Sequence, residues 1–495
     1  MKAMKKFLVC ILAAALALSC FSACSDPVVG ASNDGNTGAG GAEEAITLNG
    51  DSAKYAGGGV SIDGSTVTIS APGEYTVTGT LDNGRIIINT GENPGNVTLT
   101  LDGVDITCLN DSAIYVVQAK NVDIILAPGS TNKVTSGTEQ NMAQADPTAS
   151  GAAIYAEDDL DIKGEGTLQV CGYINNGITC KDDLDIMGGT ITVLAANNGV
   201  RGSESVCITG GDLAITSGND GIKSTVADKA EKGFVEISGG GIAISAAGDG
   251  ISAETSLSIS GGNIVVATTG DPAAVSSKGI KANTGFDISG GSINVTSTDH
   301  ALKSSAGMTL SGGSFTLSSS DGKGISADGD VTITGGDFNV SSLDDGIESV
   351  TAVTIEGGSF RITAGNDGLK AGEKGTGFEA KVGTVTINGG SLLVSAYADP
   401  IDAKAKLLVN GGTVLASGTS KTIKNFSGDS AQLSIACSLN GSGNDTLSVK
   451  AADGGELASL TAGYGFNTVL FSSPELRSGS EYTVSAGSGS MNITA

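Results

Sequence analysis

The sequence predicts an all-β fold, a right-handed parallel β-helix with about 22 residues per coil and β caps at both ends. Three observations carry that expectation. Gly-Gly pairs begin at Gly188, Gly210, Gly239, Gly261, Gly290, Gly312, Gly335, Gly357, Gly389 and Gly411, at intervals of 22, 29, 22, 29, 22, 23, 22, 32 and 22. Within each period runs Asp-Gly-Ile-x-small and then Val/Leu-x-Ile-x-Gly-Gly-x-Ile/Phe-x-Val/Ile, as in Asp220-Gly221-Ile222-Lys223-Ser224 followed by Val235-Glu236-Ile237-Ser238-Gly239-Gly240. Such short apolar alternation marks strands with one buried face, and three of them per period close one coil. Composition agrees, because 76 of 495 residues are Gly, none is Trp and only 16% are charged, too little for the amphipathic helices of a bundle. Leucine-rich and nonapeptide calcium repeats require other spacings, and the hand follows the rule for parallel crossovers.

The elements follow in chain order. Lys2, Lys5 and Lys6 precede an apolar run from Phe7 to Ala17, the n-region and h-region of an export signal, and Phe21-Ser22-Ala23-Cys24 resembles a lipobox. Residues 1–24 are therefore read as a lipoprotein signal peptide with Cys24 as the favoured lipidated residue and Ala17-Leu18-Ser19-Cys20 as the alternative, since Phe21 stands where Leu is usual, and residues 25–45, rich in Gly, Asn, Ala and Ser, as a flexible tether. The β-helix is expected over 46–425. Its first part carries strands such as Val67-Thr68-Ile69, Tyr75-Thr76-Val77 and Val97-Thr98-Leu99-Thr100-Leu101, and degenerate repeat copies start at Asp111 and Gly151. Residues 426–495, with Thr468-Val469-Leu470-Phe471 and Tyr482-Thr483-Val484, read as a C-terminal β cap that covers the unpaired edge of the last coil.

Charge narrows function. With 27 Lys+Arg against 53 Asp+Glu the net charge is −26, which excludes a nucleic-acid partner and an anionic membrane surface. Membrane association is expected through the lipid anchor alone, on a monomeric, extracytoplasmic protein at the bacterial cell surface. His300 is the only histidine, so zinc-protease chemistry is excluded and a histidine-based triad has one possible place. Cys108, Cys171, Cys180, Cys207 and Cys437 show no CxxC spacing and read as small buried side chains.

Stacked coils turn equivalent positions into columns about 4.8 Å apart. The residue before the central glycine runs Asn176, Asn198, Asp220, Asp249, Lys278, His300, Lys323, Asp345, Asp367, Asp399. Adjacent carboxylates repel, so Asp220, Asp249, Asp345, Asp367 and Asp399 are candidate calcium ligands. The alternative is that Asn and Asp serve as turn residues there, with Lys223 and Lys370 neutralising them. Asp159 with Asp183 and Asp161 with Asp185 form a second acidic column. The position after the central Ile runs Tyr115, Tyr155, Thr179, Arg201, Lys223, Ser252, Lys281, Lys303, Ser326, Glu348, Lys370. Tyr115, Tyr155, Arg201 and Lys223 are candidate carbohydrate contacts, because tyrosine rings stack on sugars and cations pair uronate carboxylates. Ordinary surface decoration is the competing reading.

Ala71-Pro72-Gly73-Glu74-Tyr75-Thr76-Val77-Thr78-Gly79-Thr80-Leu81, Leu101-Asp102-Gly103-Val104-Asp105-Ile106, Gly177-Ile178, the twin Asp-Asp-Leu-Asp-Ile segments and the Asp-Gly-Ile coils together resemble a bacterial carbohydrate-binding β-helix family whose members bind cellulose and polygalacturonate. The resemblance covers roughly residues 46–485 and implies a pectate-lyase-like right-handed β-helix, bound calcium and surface presentation. Lys278, His300 and Lys323 interrupt the family's acidic column. The leading expectation is a non-catalytic, surface-anchored binder of polysaccharide, pectic or cellulosic, with calcium. The absence of Trp favours the acidic polymer over crystalline cellulose. A calcium-dependent polysaccharide lyase is the rival, with Arg201 or Arg361 as base. An adhesin or spacer with a protein partner is the third reading.

Overall fold

The computed structural model describes residues 45–91, 94–142, 151–373, 381–420 and 424–495. The signal peptide, the tether and Cys24 lie outside the described residues. No helix among those described is long and apolar enough to cross a membrane. The chain is all-β, with one four-residue helix, Glu139–Met142, among the described residues. It divides into two compact units, one over 1–222 with 243–246 and the other over 223–242 with 247–495.

In the first unit three families of strands pair in parallel with a step close to the sequence period. Leu184 lies beside Val206 and Ile191 beside Leu213, each 22 residues on, while Leu160 lies beside Leu184 after 24. The third family runs Ile114, Ile154, Ile178, Val200 in adjacent register. Upstream the strands are longer. Gly73–Leu81 pairs in parallel with Asn96–Cys108 through a register shift between Val77 and Gly79, and Val60–Asp63 turns back antiparallel on Thr66–Ile69.

The second unit repeats the same three families. Six-residue strands Ser292–Ser297, Ser314–Ser319, Asp337–Ser342, Ser359–Ala364 and Ser391–Ala396 pair in sequence, with alternate side chains buried. Phe315, Phe338 and Phe360 consequently stack in the core, ring centroids 4.4 and 4.7 Å apart and nearly parallel. Burial of such rings and of the Ile, Val and Leu rows beside them is the main stabilising term.

Glycine is required for geometric reasons. The second residue of each Gly-Gly pair has positive φ, for example +104° at Gly313, and a Cβ on the first, Gly312, would stand 2.5 Å from the Ser289 carbonyl oxygen. At the central glycine a Cβ on Gly324 would meet Val340 Cγ1 at 2.2 Å. The turn and the close approach of neighbouring repeats thus both depend on these positions.

Parallel pairing stops at Thr413–Gly418, against which Phe466–Ser472 runs antiparallel. The same strand pairs antiparallel with Ser434–Gly441, and Thr446–Ala451, Glu456–Thr461, Glu481–Ala486 and Gly489–Thr494 make a four-stranded antiparallel sheet. The strands expected around Thr468–Phe471 and Tyr482–Val484 fall within these elements, packed on a core that includes Leu447, Val449 and Phe466.

Candidate functional site

The column before the central glycine is a hydrogen-bonded ladder. The Asn198 amide N–H donates to Asn176 Oδ1 at 3.1 Å and the Asp220 amide to Asn198 Oδ1 at 3.3 Å. In the second unit the Lys278 amide donates to Asp249 Oδ1 at 2.8 Å, the Asp367 amide to Asp345 Oδ1 at 3.0 Å, and the Asp399 amide to Asp367 Oδ1 at 3.0 Å. His300 joins the same ladder, because its Nδ1 stands where Oδ1 stands in Asx and accepts the Lys323 amide at 3.1 Å. Burial, then the lysines at 323, 278 and 303, hold the imidazole below its usual range against the pull of Asp299. At the rungs filled by Asn, Asp or His, the side chain thus supplies an acceptor one atom past Cγ. Lys278 and Lys323 lack that acceptor. At the step after Lys278, the His300 amide is met by Asp299 Oδ1 at 2.8 Å.

The column after the central Ile holds the register read from the sequence. In the first unit Tyr115, Tyr155, Thr179 and Arg201 are adjacent rungs. Tyr115 and Tyr155 meet edge to face at 5.5 Å, with Tyr155 only 8% exposed, and burial followed by Glu157 pushes the Tyr155 phenol far up. Little of the Tyr155 ring is left for a ligand, whereas Tyr115 is partly exposed. In the second unit Ser252, Lys281, Lys303, Ser326, Glu348, Lys370 and Asp402 succeed one another. Lys223 is half-buried on Ile222–Ser224.

Lys281 and Lys370 neutralise acids of the neighbouring column. Lys281 Nζ lies 3.1 Å from Asp249, and Lys370 Nζ lies 2.8 Å from both Asp345 and Glu348. Lys323 Nζ lies 3.1 Å from Asp344 and 2.9 Å from Glu348. Although burial works against it, Asp345 and Glu348 hold the Lys370 ammonium well above its usual range. Asp249 and Asp345 are thus already bonded to lysine and to backbone amides. Asp367 differs, since burial, then Asp345 and Asp402, push its carboxyl up to about 7. It lines a depression of about 550 Å³ with Glu348, Lys370, Asp399, Asp402, Lys404 and Lys424. Lys404 and Lys424 both reach Asp402.

The chemistry of this donor set does not fit the expected calcium at Asp249 or Asp345, whose oxygens face ammonium and amide donors. The five aspartates are rungs of a ladder and not a cluster, and among the described residues no group of three or more His, Cys, Asp or Glu side chains could hold a metal ion. The second acidic column continues further than the sequence reading took it. Asp123, Asp161 and Asp185 are adjacent rungs, Lys163 Nζ is 3.0 Å from Asp123, and burial followed by the hydrogen bond with Asp123 pushes Asp161 to about 6. Asp123 was missed because its strand, Asn121–Leu126, lacks the Asp-Asp that marks the other two.

Arg201 stands in the tyrosine column. Arg361 is exposed on the outer face of Ser359–Ala364 and lines a different, shallow depression of about 210 Å³ with Thr316, Asp337 and Asn339. Neither depression brings Arg361 together with Asp345 or Asp367. All five cysteines of the described residues are free, and burial pushes the Cys180 thiol far up.

A family model described as carbohydrate-binding domain-containing protein matches residues 63–324 and again 322–494. A carbohydrate-binding domain-containing protein of Acetivibrio thermocellus is 39% identical over 137 residues, which are 28% of this chain and 48% of that protein. The match spans about half the length of that relative. Among solved structures, the gadolinium derivative of a polysaccharide lyase-like protein from C. thermocellum is similar at 39% identity, over 46% of this chain and 92% of the other, with a TM-score of 0.43.

Proposed function

Because the chain belongs to the carbohydrate-binding domain-containing family, we propose that it is a non-catalytic polysaccharide-binding protein. Its repeats form a right-handed parallel β-helix over 46–425 with the antiparallel C-terminal strands as a cap, and Cys24 anchors it as a monomeric lipoprotein at the bacterial cell surface. One observation carries the non-catalytic reading. The lysines beside the acidic groups are engaged in ion pairs that hold Lys323, Lys370 and Lys424 above their usual range, so none of the three is a neutral base. β-Elimination needs such a base beside an acidified carbon, and the exposed Arg361 lies in a depression apart from the acidic column. A regular ladder of surface side chains suits a periodic polymer without any of them reacting.

The test is incubation of the full chain with cellulosic and pectic polysaccharides while retention and ultraviolet absorbance of unsaturated products are recorded together. Retention without growing absorbance is expected. Growing absorbance would replace this reading with a lyase, and absence of both would leave the adhesin reading.

A further inference from the structure

Tyr397 is 64% exposed at the corner that follows Ser391–Ala396, and the ring of Tyr464 meets it edge to face at 5.8 Å. Tyr464 is held rigidly on a turn of the C-terminal region. The Gly463 amide donates to Ser395 Oγ at 2.8 Å, and Thr419 Oγ1 donates to the Gly465 carbonyl at 3.2 Å. A Cβ on Gly463 would stand 2.7 Å from Thr363 Cγ2, so the close approach that delivers Tyr464 depends on glycine. The Tyr397 backbone is held by the hydrogen bond that its amide N–H donates to the Ala364 carbonyl oxygen.

The corner below is open. Leu343, Gly365 and Tyr397 occupy successive rungs, each amide donating to the end of the preceding repeat's strand at Ser319, Ser342 and Ala364. Leu343 is 54% exposed, and a side chain at 365 would meet the Leu343 carbonyl oxygen at 2.1 Å, so nothing fills the rung between Leu343 and Tyr397. Two rungs of about 4.8 Å set these apolar side chains about 10 Å apart. The adjoining row, Asp344, Asn366, Ala398 and Thr419, supplies a carboxylate and a hydroxyl beside the apolar one.

We propose that Tyr397, backed by Tyr464, is a sugar-stacking platform that binds a neutral pyranose polymer, with Leu343 receiving a ring face further along the same chain. The inference rests on the polysaccharide-binding reading and names the place and class of its ligand. A pyranose has an apolar C–H face and hydroxyl edges, which match an aromatic ring flanked by acceptors. Neutrality follows from the rim. Asp344 and Asp399 are acidic, and the lysines near them, Lys323 and Lys424, are engaged with Asp344, Glu348, Asp399 and Asp402, so neither is left to pair a uronate carboxylate.

The experiment is affinity electrophoresis of the full chain in gels containing hydroxyethylcellulose or polygalacturonate, with thermal melts of every variant. Retardation by hydroxyethylcellulose, weakened about tenfold in Tyr397→Ala, kept in Tyr397→Phe and accompanied by unchanged melting, is the expected result. Tyr464→Ala should weaken it as well, and if that variant melts early the Tyr397 pair decides. Undiminished retardation of Tyr397→Ala, or retardation by polygalacturonate alone, would overturn the platform while leaving the binding function in place. A wild-type chain retarded by no polysaccharide would overturn both.

Discussion

Two tyrosine pairs in this protein share an edge-to-face geometry, with centroids 5.5 Å apart for Tyr115 and Tyr155 and 5.8 Å for Tyr397 and Tyr464, yet differ in what they leave open. Tyr155 sits within a strand between filled rungs and is 8% exposed, whereas Tyr397 sits at a corner next to a glycine rung and is 64% exposed. In a stacked repeat the neighbours above and below decide whether an aromatic belongs to packing or to a surface. Position within the repeat does not decide it alone.

The largest consequence concerns the closed pair. Tyr155→Ala removes a nearly buried ring and should cost about 4 kcal/mol of stability, read as a shift of the unfolding midpoint, while leaving polysaccharide retention per folded molecule unchanged. Lost retention with an unshifted midpoint would return the ligand to the Tyr115, Tyr155, Arg201, Lys223 strip expected from the sequence. Tyr397→Ala should behave in the opposite way, as described above.

The charged column makes the same distinction with ions in place of rings. Asp345 is fully buried, and Lys370→Ala would leave it and Glu348 without their shared cation, at a cost of about 3 kcal/mol. Lys406→Ala, which breaks a pair with Asp429 in which both side chains are more than half exposed, should leave the melt unmoved. Equal effects of the two substitutions would show that Lys370 is surface decoration after all.

Columns were legible in the sequence because a fixed period places equivalent residues on adjacent rungs, and the observed register from Ser252 to Asp402 follows them. What the columns do was less legible. Asp249 and Asp345 look like metal ligands when only carboxylates are aligned, but the lysines that neutralise them come from the other column, across the turn. The Tyr397 and Tyr464 pair was invisible for a related reason. One residue lies in a turn and the other 67 positions later, on a turn between antiparallel strands outside the repeat, so no periodic signal joins them.

Asp367 separates ladder from metal ligand by pH. Its folded carboxyl, pushed up to about 7, keeps its proton to higher pH than the unfolded side chain does. The native state therefore binds more protons between about pH 4 and 7, and stability falls as pH rises through that window. Asp367→Asn retains an Oδ1 acceptor for the Asp399 amide, as Asn176 and Asn198 do for theirs. It should raise stability by about 2 kcal/mol at pH 8 and leave it unchanged at pH 4. A loss of stability at pH 8 would show that the charge at Asp367 is needed.

The smallest expected effect addresses calcium directly. A chelator should leave the unfolding midpoint and the retention on hydroxyethylcellulose where they were, because Asp249 and Asp345 already answer to lysine and backbone donors. A midpoint that falls with chelator and recovers with calcium in the wild-type chain, but is indifferent to both in Asp367→Asn, would place a cation among Asp367, Asp399 and Asp402 in the acidic depression. The column would then combine a hydrogen-bonded ladder at Asp249 and Asp345 with a metal at its far end, where the carboxylate resting near 7 is the one that a cation would stabilise most.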